Sequence, residues 1–157
     1  MIRRPCHDRR ERLFKEENMT EQLQGSLLIV EDEHRLRELV AQFLRSEKFL
    51  VVEAADGLEG VERFTDSGPF DLVLVDLNLP VFSGVEVCRR IKRQNPSQRM
   101  MICSAAVLPN HEAALSTLGV SHFLSKPYHP DDLIAHIALE IGPSAASRLG
   151  VTTSTST

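Results

Sequence analysis

The chain has 157 residues, of which 42% are hydrophobic and 25% charged, and its formal net charge at pH 7 is −4. This composition predicts one soluble globular domain and excludes collagen-like and wholly disordered chains. A mildly acidic chain lacks the basic face that phosphate contacts need, so we expect no direct nucleic-acid binding. The three cysteines form no Cys-x-x-Cys pair, and no apolar run approaches the roughly 20 residues of a membrane span. We therefore expect a cytoplasmic protein that makes no membrane contact.

Both ends of the chain are poor in large apolar residues. Residues 1–25 mix Arg, Lys and Glu, and residues 142–157 end in a Ser/Thr run. We interpret residues 1–25 as a charged tail, residues 26–141 as the folded domain and residues 142–157 as a second tail. The second tail is too short for a DNA-binding or catalytic domain, so we expect no output domain in this chain.

Between the tails, short apolar runs alternate with segments of helical periodicity. The predicted strands are Ser26–Val30, Phe49–Val52, Leu72–Val75, Met100–Cys103 and Val120–Leu124. After each strand, apolar residues recur at helical spacing, within Leu36–Leu44, Leu58–Phe64, Val87–Ile91, Asn110–Gly119 and Leu133–Ile141. In the first helix the predicted buried stripe includes Leu39, and in the fourth Asn110 is the predicted N-cap.

Five strands that are each followed by a helix favour parallel pairing with right-handed crossovers. We predict an α/β fold: a flavodoxin-like (βα)5 doubly wound sheet in strand order 2-1-3-4-5. In this order the chain changes direction between strands 1 and 3, and ligands bind in the crevice outside their carboxyl ends.

Polar residues follow the strands at this predicted crevice. Glu31 and Asp32 follow strand 1, Asp76 follows strand 3, Ser104 follows strand 4 and Lys126 follows strand 5. Each has an ordinary alternative, such as a helix cap for Asp32 or a turn for Asp76. Together, the clustered carboxylates need a cation, and oxygen ligands suit Mg²⁺. With a lysine and a hydroxyl beside them, these carboxylates supply the functional groups that phosphoryl transfer to an aspartate requires.

Four motifs in this order resemble the receiver domain of two-component response regulators. They are Leu28–Glu33, Asp71–Pro80 with Gly84, Cys103–Ala105 and Phe123–Pro127. The resemblance covers residues 26–141. It implies Mg²⁺-dependent, reversible phosphorylation by a sensor histidine kinase or a phosphotransfer protein.

The resemblance also implies a role for each matched residue. Asp76 is the phosphoacceptor, and Lys126, in a cis bond to Pro127, pairs with the phosphoryl group. Ser104 and Phe123 are the switch hydroxyl and the switch aromatic residue. The implied metal site comprises Asp32, Asp76, Glu31 and the backbone carbonyl of Asn78.

Signalling in this family commonly uses the face formed by helix 4, strand 5 and helix 5. We therefore expect a downstream protein target on that face, with homodimerisation on phosphorylation as a further possibility. Two departures from the family pattern stand out. Glu31 replaces the commoner aspartate, and Phe123 lacks the hydroxyl of a tyrosine, so any switching by Phe123 must act through packing.

Three other functions remain open on the sequence. A receiver-like interaction module would not use phosphorylation at all. A haloacid-dehalogenase-type phosphatase would need a second aspartate where this chain has Asn78. A flavin mononucleotide binder would need a phosphate cradle where Glu31 and Asp32 repel phosphate. The histidines show no i, i+4 pair on one helix, so we expect surface positions for His111, His122, His129 and His136 rather than a transition-metal site.

Overall fold

Alternating side-chain directions along five parallel strands give the sheet two apolar faces. The computed structural model describes residues 23–142; the proposed tails lie outside this range apart from residues 23–25 and 142. The strands are β1 (Gly25–Val30), β2 (Phe49–Ala54), β3 (Leu72–Val75), β4 (Met100–Ser104) and β5 (Phe123–Ser125). The helices are α1 (His34–Ser46), α2 (Gly57–Ser67), α3 (Gly84–Gln94), α4 (Pro109–Thr117) and α5 (Pro130–Ile141).

The strand order is β2-β1-β3-β4-β5, and all four pairings are parallel, which confirms the predicted fold. Leu28 and Val30 pack on one face of β1, in a core with residues of α2, α3 and α4. Leu27 and Ile29 pack on the other face, in a core with residues of α1 and α5. Because side chains alternate along a strand, one short apolar run supplies both cores.

Two element boundaries differ from the sequence expectation. Helix α4 begins at Pro109 with Leu108 as its N-cap, so Asn110 is not the cap. Proline suits the first turn of a helix because its missing N–H would have no intrahelical partner there. Strand β5 covers only Phe123–Ser125, because Val120, although buried, precedes the paired register.

Helix α1 is rotated relative to the predicted stripe. Its buried residues are Val40, Ala41 and Leu44, whereas Leu39 is exposed. The side chain of Arg37 turns inward on the same side, where its Nη1 donates to the backbone carbonyl of Glu31 at 2.8 Å. The buried side of α1 therefore includes a polar anchor, Arg37, and a small residue, Ala41, at positions that the predicted apolar stripe does not contain.

Candidate functional site

Three carboxylates meet where β1 and β3 end. Glu31, Asp32 and Asp76 each place one carboxylate oxygen within 4.8 Å of the other two. Glu31 and Asp76 are buried, and Asp32 is exposed. The predicted crevice thus brings these residues together at the carboxyl edge of the sheet, with one side open to water.

The backbone around the carboxylates is held by the sheet. The N–H of Asp76 donates to the carbonyl of Val30 at 3.1 Å, and the N–H of Glu31 donates to the carbonyl of Ala54 at 3.1 Å. Glu33, not Asp32, caps α1 by accepting the N–H of Leu36 at 2.9 Å. The capping alternative for Asp32 is therefore wrong.

Lys126 reaches the carboxylates from the end of β5. Its Nζ donates to Asp76 Oδ2 at 2.9 Å and also to Glu31 Oε2. The peptide bond from Lys126 to Pro127 is cis, as the resemblance implies. The ammonium group is thus directed at a carboxylate oxygen of Asp76.

Burial and pairing act in opposite directions on these groups. Burial raises the pKa of Glu31, and its hydrogen bond with Lys126 offsets only part of that rise. Burial also favours neutral Lys126, but hydrogen bonds and attraction from Glu31 and Asp76 outweigh it and raise the pKa of Lys126. Lys126 therefore remains a cation at neutral pH.

The second oxygen of Asp76 is held by the loop after β3. The backbone N–H of Asn78 donates to Asp76 Oδ1 at 3.2 Å, so the backbone of Asn78 lies beside the carboxylate. The first residue of α3, Gly84, packs directly against the carbonyl of Asp76. Both contacts fix the orientation of the Asp76 carboxylate.

The two switch candidates lie on the neighbouring strands β4 and β5. Ser104 is buried, and its hydroxyl donates weakly to the carbonyl of Ala106 at 3.4 Å. Phe123 is half-buried and packs against the core that contains Ile102 and Leu115. The N–H of Lys126 donates to the carbonyl of Ser104 at 3.0 Å, and Phe123 begins the strand that ends directly before Lys126.

The donor set fits a hard divalent cation. Three carboxylates and one ammonium group give the site a formal charge of −2, and all candidate ligand atoms are oxygens. Because Asp32 is exposed, water can reach this side of the site. These features are those of Mg²⁺ sites in proteins. Glu31 departs from a simple ligand role because Oε2 pairs with Lys126 and Oε1 accepts the N–H of Glu33 at 3.2 Å.

One cluster of polar residues was not expected from the sequence. His122 and His136 are half-buried rather than on the surface, and their ring nitrogens lie 2.6 Å apart. They come from different elements, 14 residues apart, so helical spacing could not reveal the pair. The sequence offered only an indirect indication of this cluster, namely the i, i+4 spacing of His136 and Glu140 on α5.

The sequence of this chain is similar to those of curated regulatory proteins. The sensory transduction protein RegX3 of Mycolicibacterium smegmatis is 36% identical over 112 residues, which are 71% of this chain and 48% of that protein. The alkaline phosphatase synthesis transcriptional regulatory protein SphR of Synechococcus elongatus is 32% identical over 117 residues, 69% of this chain and 46% of that protein. The chain spans about half the length of the curated relatives it matches.

Solved structures match the fold. The chemotaxis protein CheY4 of Vibrio cholerae superposes with a TM-score of 0.66 at 25% identity, covering 71% of this chain and 93% of that chain. A CheY-like receiver domain protein of Methanospirillum hungatei gives a TM-score of 0.70 at 24% identity, covering 74% and 92%. A family model described as the response regulator receiver domain matches residues 27–138. The chain therefore belongs to the receiver domains of two-component response regulators.

Proposed function

We propose that Asp76 is the phosphoacceptor of this receiver domain and that its donor is a phosphohistidine of a sensor histidine kinase or a phosphotransfer protein. One observation carries the proposal. Asp76 is buried at the sheet crevice, with Lys126 Nζ 2.9 Å from one carboxylate oxygen and the N–H of Asn78 3.2 Å from the other. A carboxylate held in this way is a preorganised nucleophile.

Phosphoryl transfer to Asp76 is an in-line displacement. An oxygen of the ionised carboxylate attacks phosphorus, and the new phosphorus–oxygen bond forms as the phosphorus–nitrogen bond of the donor breaks. The leaving imidazole keeps the electron pair of that bond. The product is an acyl phosphate on Asp76.

Lys126 and a bound metal balance the charge of this step. Asp32, Asp76 and the backbone carbonyl of Asn78 would hold Mg²⁺ directly, with Glu31 acting through a water molecule. When bound, Mg²⁺ supplies positive charge that screens the carboxylates from the anionic donor. The Lys126 ammonium group, now shared between Glu31 and Asp76, pairs with a phosphoryl oxygen once Asp76 is modified.

Phosphorylation is then transmitted to the surface by a change in side-chain packing. Ser104 exchanges its weak bond to the carbonyl of Ala106 for a phosphoryl oxygen, and Phe123 turns into the space that this movement opens. Phe123 begins β5, so its movement changes the face formed by α4, β5 and α5. A charge change at Asp76 thus biases a two-state packing arrangement.

The partners and location follow from this function. A histidine kinase or phosphotransfer protein is the donor, and a protein target or a second copy of the chain binds the α4–β5–α5 face. None of the helices within residues 23–142 is long and apolar enough to cross a bilayer. We place the domain in the cytoplasm, with no direct nucleic-acid or membrane contact and no reaction beyond its own phosphorylation and dephosphorylation.

The intact mass after incubation with acetyl phosphate tests the acceptor. We expect one phosphoryl adduct that requires both Mg²⁺ and Asp76, and none in Asp76→Asn. Asp71→Asn is the matched control, since Asp71 is an exposed aspartate near the opposite end of the sheet. Absence of an adduct on folded wild-type protein would overturn the proposal and favour a phosphorylation-independent module, while multiple turnover of a phosphomonoester would indicate a phosphatase.

Ser104→Ala tests the switch separately from the chemistry. We expect the adduct to form, but the phosphorylation-induced NMR shifts of α5 and of Phe123 to shrink at least severalfold because the alanine methyl cannot bond the phosphoryl group. Ser116→Ala, an exposed serine of α4, is the control. Full-sized shifts in Ser104→Ala would exclude this coupling route.

A further inference from the structure

A second polar cluster lies away from the acidic site, between the segment before β5 and helix α5. The Nε2 atom of His122 and the Nδ1 atom of His136 are 2.6 Å apart, with ring centroids at 4.9 Å and an interplanar angle of 73°. The Nδ1 atom of His122 lies 2.6 Å from Oε1 of Glu140. The side chains of His122 and Glu140 are 19% and 24% exposed, so the cluster is sheltered but reachable from solvent.

The carboxylate of Glu140 determines which nitrogen of His122 carries the proton. An ionised carboxylate only accepts hydrogen bonds, so Nδ1 of His122 donates to Glu140. In the neutral ring Nε2 therefore has the free lone pair, and that lone pair points to His136. When His136 holds its proton on Nε2, both facing nitrogens, Nε2 of His122 and Nδ1 of His136, carry an unprotonated lone pair.

We propose that His122 and His136 form a binding site for Zn²⁺ or a similar borderline divalent ion. The direct ligands are Nε2 of His122 and Nδ1 of His136, and water completes the tetrahedron. Imidazole is a preferred ligand of such ions, and a ligating histidine commonly donates its other N–H to a carboxylate, as His122 does to Glu140. Glu140 is thus a positioning residue.

The site needs only a small adjustment to accept the ion. Two nitrogens at roughly 2.0–2.1 Å from a tetrahedral Zn²⁺ lie about 3.3 Å apart. The rings must separate by less than 1 Å from their present 2.6 Å, which rotation of the half-exposed His136 side chain supplies. A bound ion would then join the segment before Phe123 to α5, next to the face that we propose for signalling.

Zinc titration of the tag-free full chain, in excess Mg²⁺ and in the Asp76→Asn background, tests the site. Excess Mg²⁺ and loss of the Asp76 carboxylate suppress binding at the acidic cluster, so failure of the proposed phosphorylation would not affect this result. We expect one Zn²⁺ per chain and a rise in melting temperature. In His136→Gln and in His122→Gln, the affinity for Zn²⁺ should fall at least tenfold, and the stoichiometric binding and the rise in melting temperature should be lost.

The remaining variants separate ligands from neighbours. Glu140→Gln should weaken Zn²⁺ binding about tenfold, in the range typical of such supporting carboxylates. His129→Asn should bind as the parent does, because His129 is an exposed N-cap of α5 and asparagine also caps helices. The proposal is wrong if the parent binds no Zn²⁺ under these conditions, or if His136→Gln, which leaves the buried core untouched, binds it equally well.

Discussion

Glu31 has one methylene more than the aspartate that commonly stands at this position in receiver domains, and its carboxylate reaches Lys126. Both oxygens of Glu31 are engaged, one by Lys126 and the other by the N–H of Glu33. Lys126 also bonds Asp76, so one ammonium group serves two buried carboxylates. Before phosphorylation, Lys126 is therefore a structural cation as well as a candidate phosphate ligand.

Removing this cation should destabilise the domain. Lys126→Gln leaves Glu31 and Asp76 buried at 6% and 8% exposure without their counter-charge. Loss of one partner of a buried ion pair costs about 3 kcal/mol in unfolding free energy, and we expect a loss of that order in metal-free buffer. Urea unfolding with and without Mg²⁺ measures it, and Mg²⁺ should recover part of the loss because it binds the folded state.

A surface lysine provides the comparison for this experiment. Lys92 Nζ donates to the carbonyl of Pro96 at 3.3 Å and forms no ion pair within residues 23–142, so Lys92→Gln should change stability by less than about 0.5 kcal/mol. If Lys126→Gln were as stable as Lys92→Gln, the ion pairs would carry no net stability. Lys126 would then act only toward the phosphoryl group.

At the scale of single residues, the sequence could predict which side chains meet but not how they share contacts. Strand-end positions were sufficient to bring Glu31, Asp32, Asp76 and Lys126 to one edge. The double pairing of Lys126 depends on side-chain length and torsion angles, which no spacing encodes. The contact of His122 with His136 also joins residues of different elements, so only the packed fold could reveal it.

Helix α3 shows how an element fixes the position of Asp76. Ser83 caps α3 by accepting the N–H of Glu86, and the N–H of Gly84 donates to the carbonyl of Leu77 at 2.9 Å. A Cβ atom at Gly84 would lie 2.2 Å from the carbonyl oxygen of Asp76 and 2.7 Å from Cα of Leu77. Because both neighbours are backbone atoms, no side-chain rotation can relieve such an overlap.

Gly84→Ala should therefore move α3 away from the end of β3. We expect a loss of at least about 2 kcal/mol of unfolding free energy and a several-fold slower phosphorylation of Asp76, measured by denaturation and by mass. Gly119→Ala is the comparison, since Gly119 has a φ of +75° but no heavy atom within 4 Å of the added Cβ. It should cost only about 1 kcal/mol of backbone strain and leave phosphorylation unchanged. Equal phosphorylation rates in the two variants would contradict a positioning role for Gly84.

At the scale of elements, apolar periodicity could predict the number and order of strands and helices, but boundaries and helix rotation followed other forces. The exposed Leu39 illustrates this, because Ala41 is buried and the half-buried Arg37 bonds the carbonyl of Glu31, which turns α1 away from the predicted stripe. The start of α4 at Pro109 illustrates the competition between two good N-terminal residues. Pro109 enters the first turn, which displaces Asn110 from the cap.

At the scale of the whole molecule, residues 23–142 form two cores that share one sheet. Cys103 lies in the core with α1 and α5, and Cys88 lies in the core with α2, α3 and α4. Burial raises the pKa of each thiol from 9.0 to about 12. Both cores therefore contain an acid that ionises much more easily in the unfolded chain than in the folded one.

This difference makes the stability of the whole domain depend on alkaline pH. Above pH 9 the unfolded thiols release protons that the folded thiols keep up to about pH 12, so the unfolded state binds fewer protons. Stability is therefore fully present below pH 9 and falls as pH rises from 9 toward 12. Between pH 8 and pH 10 we expect each thiol to lower the unfolding free energy by about 1 kcal/mol.

Urea unfolding of wild-type protein and Cys88→Ala at both pH values isolates this contribution from that of other groups, such as Tyr128, whose pKa burial also raises. Cys88→Ala should be less stable at pH 8 by about 1 kcal/mol, because it leaves a small void in the core. It should nevertheless lose about 1 kcal/mol less than wild type between pH 8 and pH 10, since one titrating group is gone. Parallel losses in the two proteins would mean that Cys88 ionises as readily in the folded core as in the unfolded chain. The two cores share strands β1, β2, β3 and β4, so ionisation in either core should favour unfolding of the entire domain. The single-thiol variant should therefore retain one cooperative transition at both pH values.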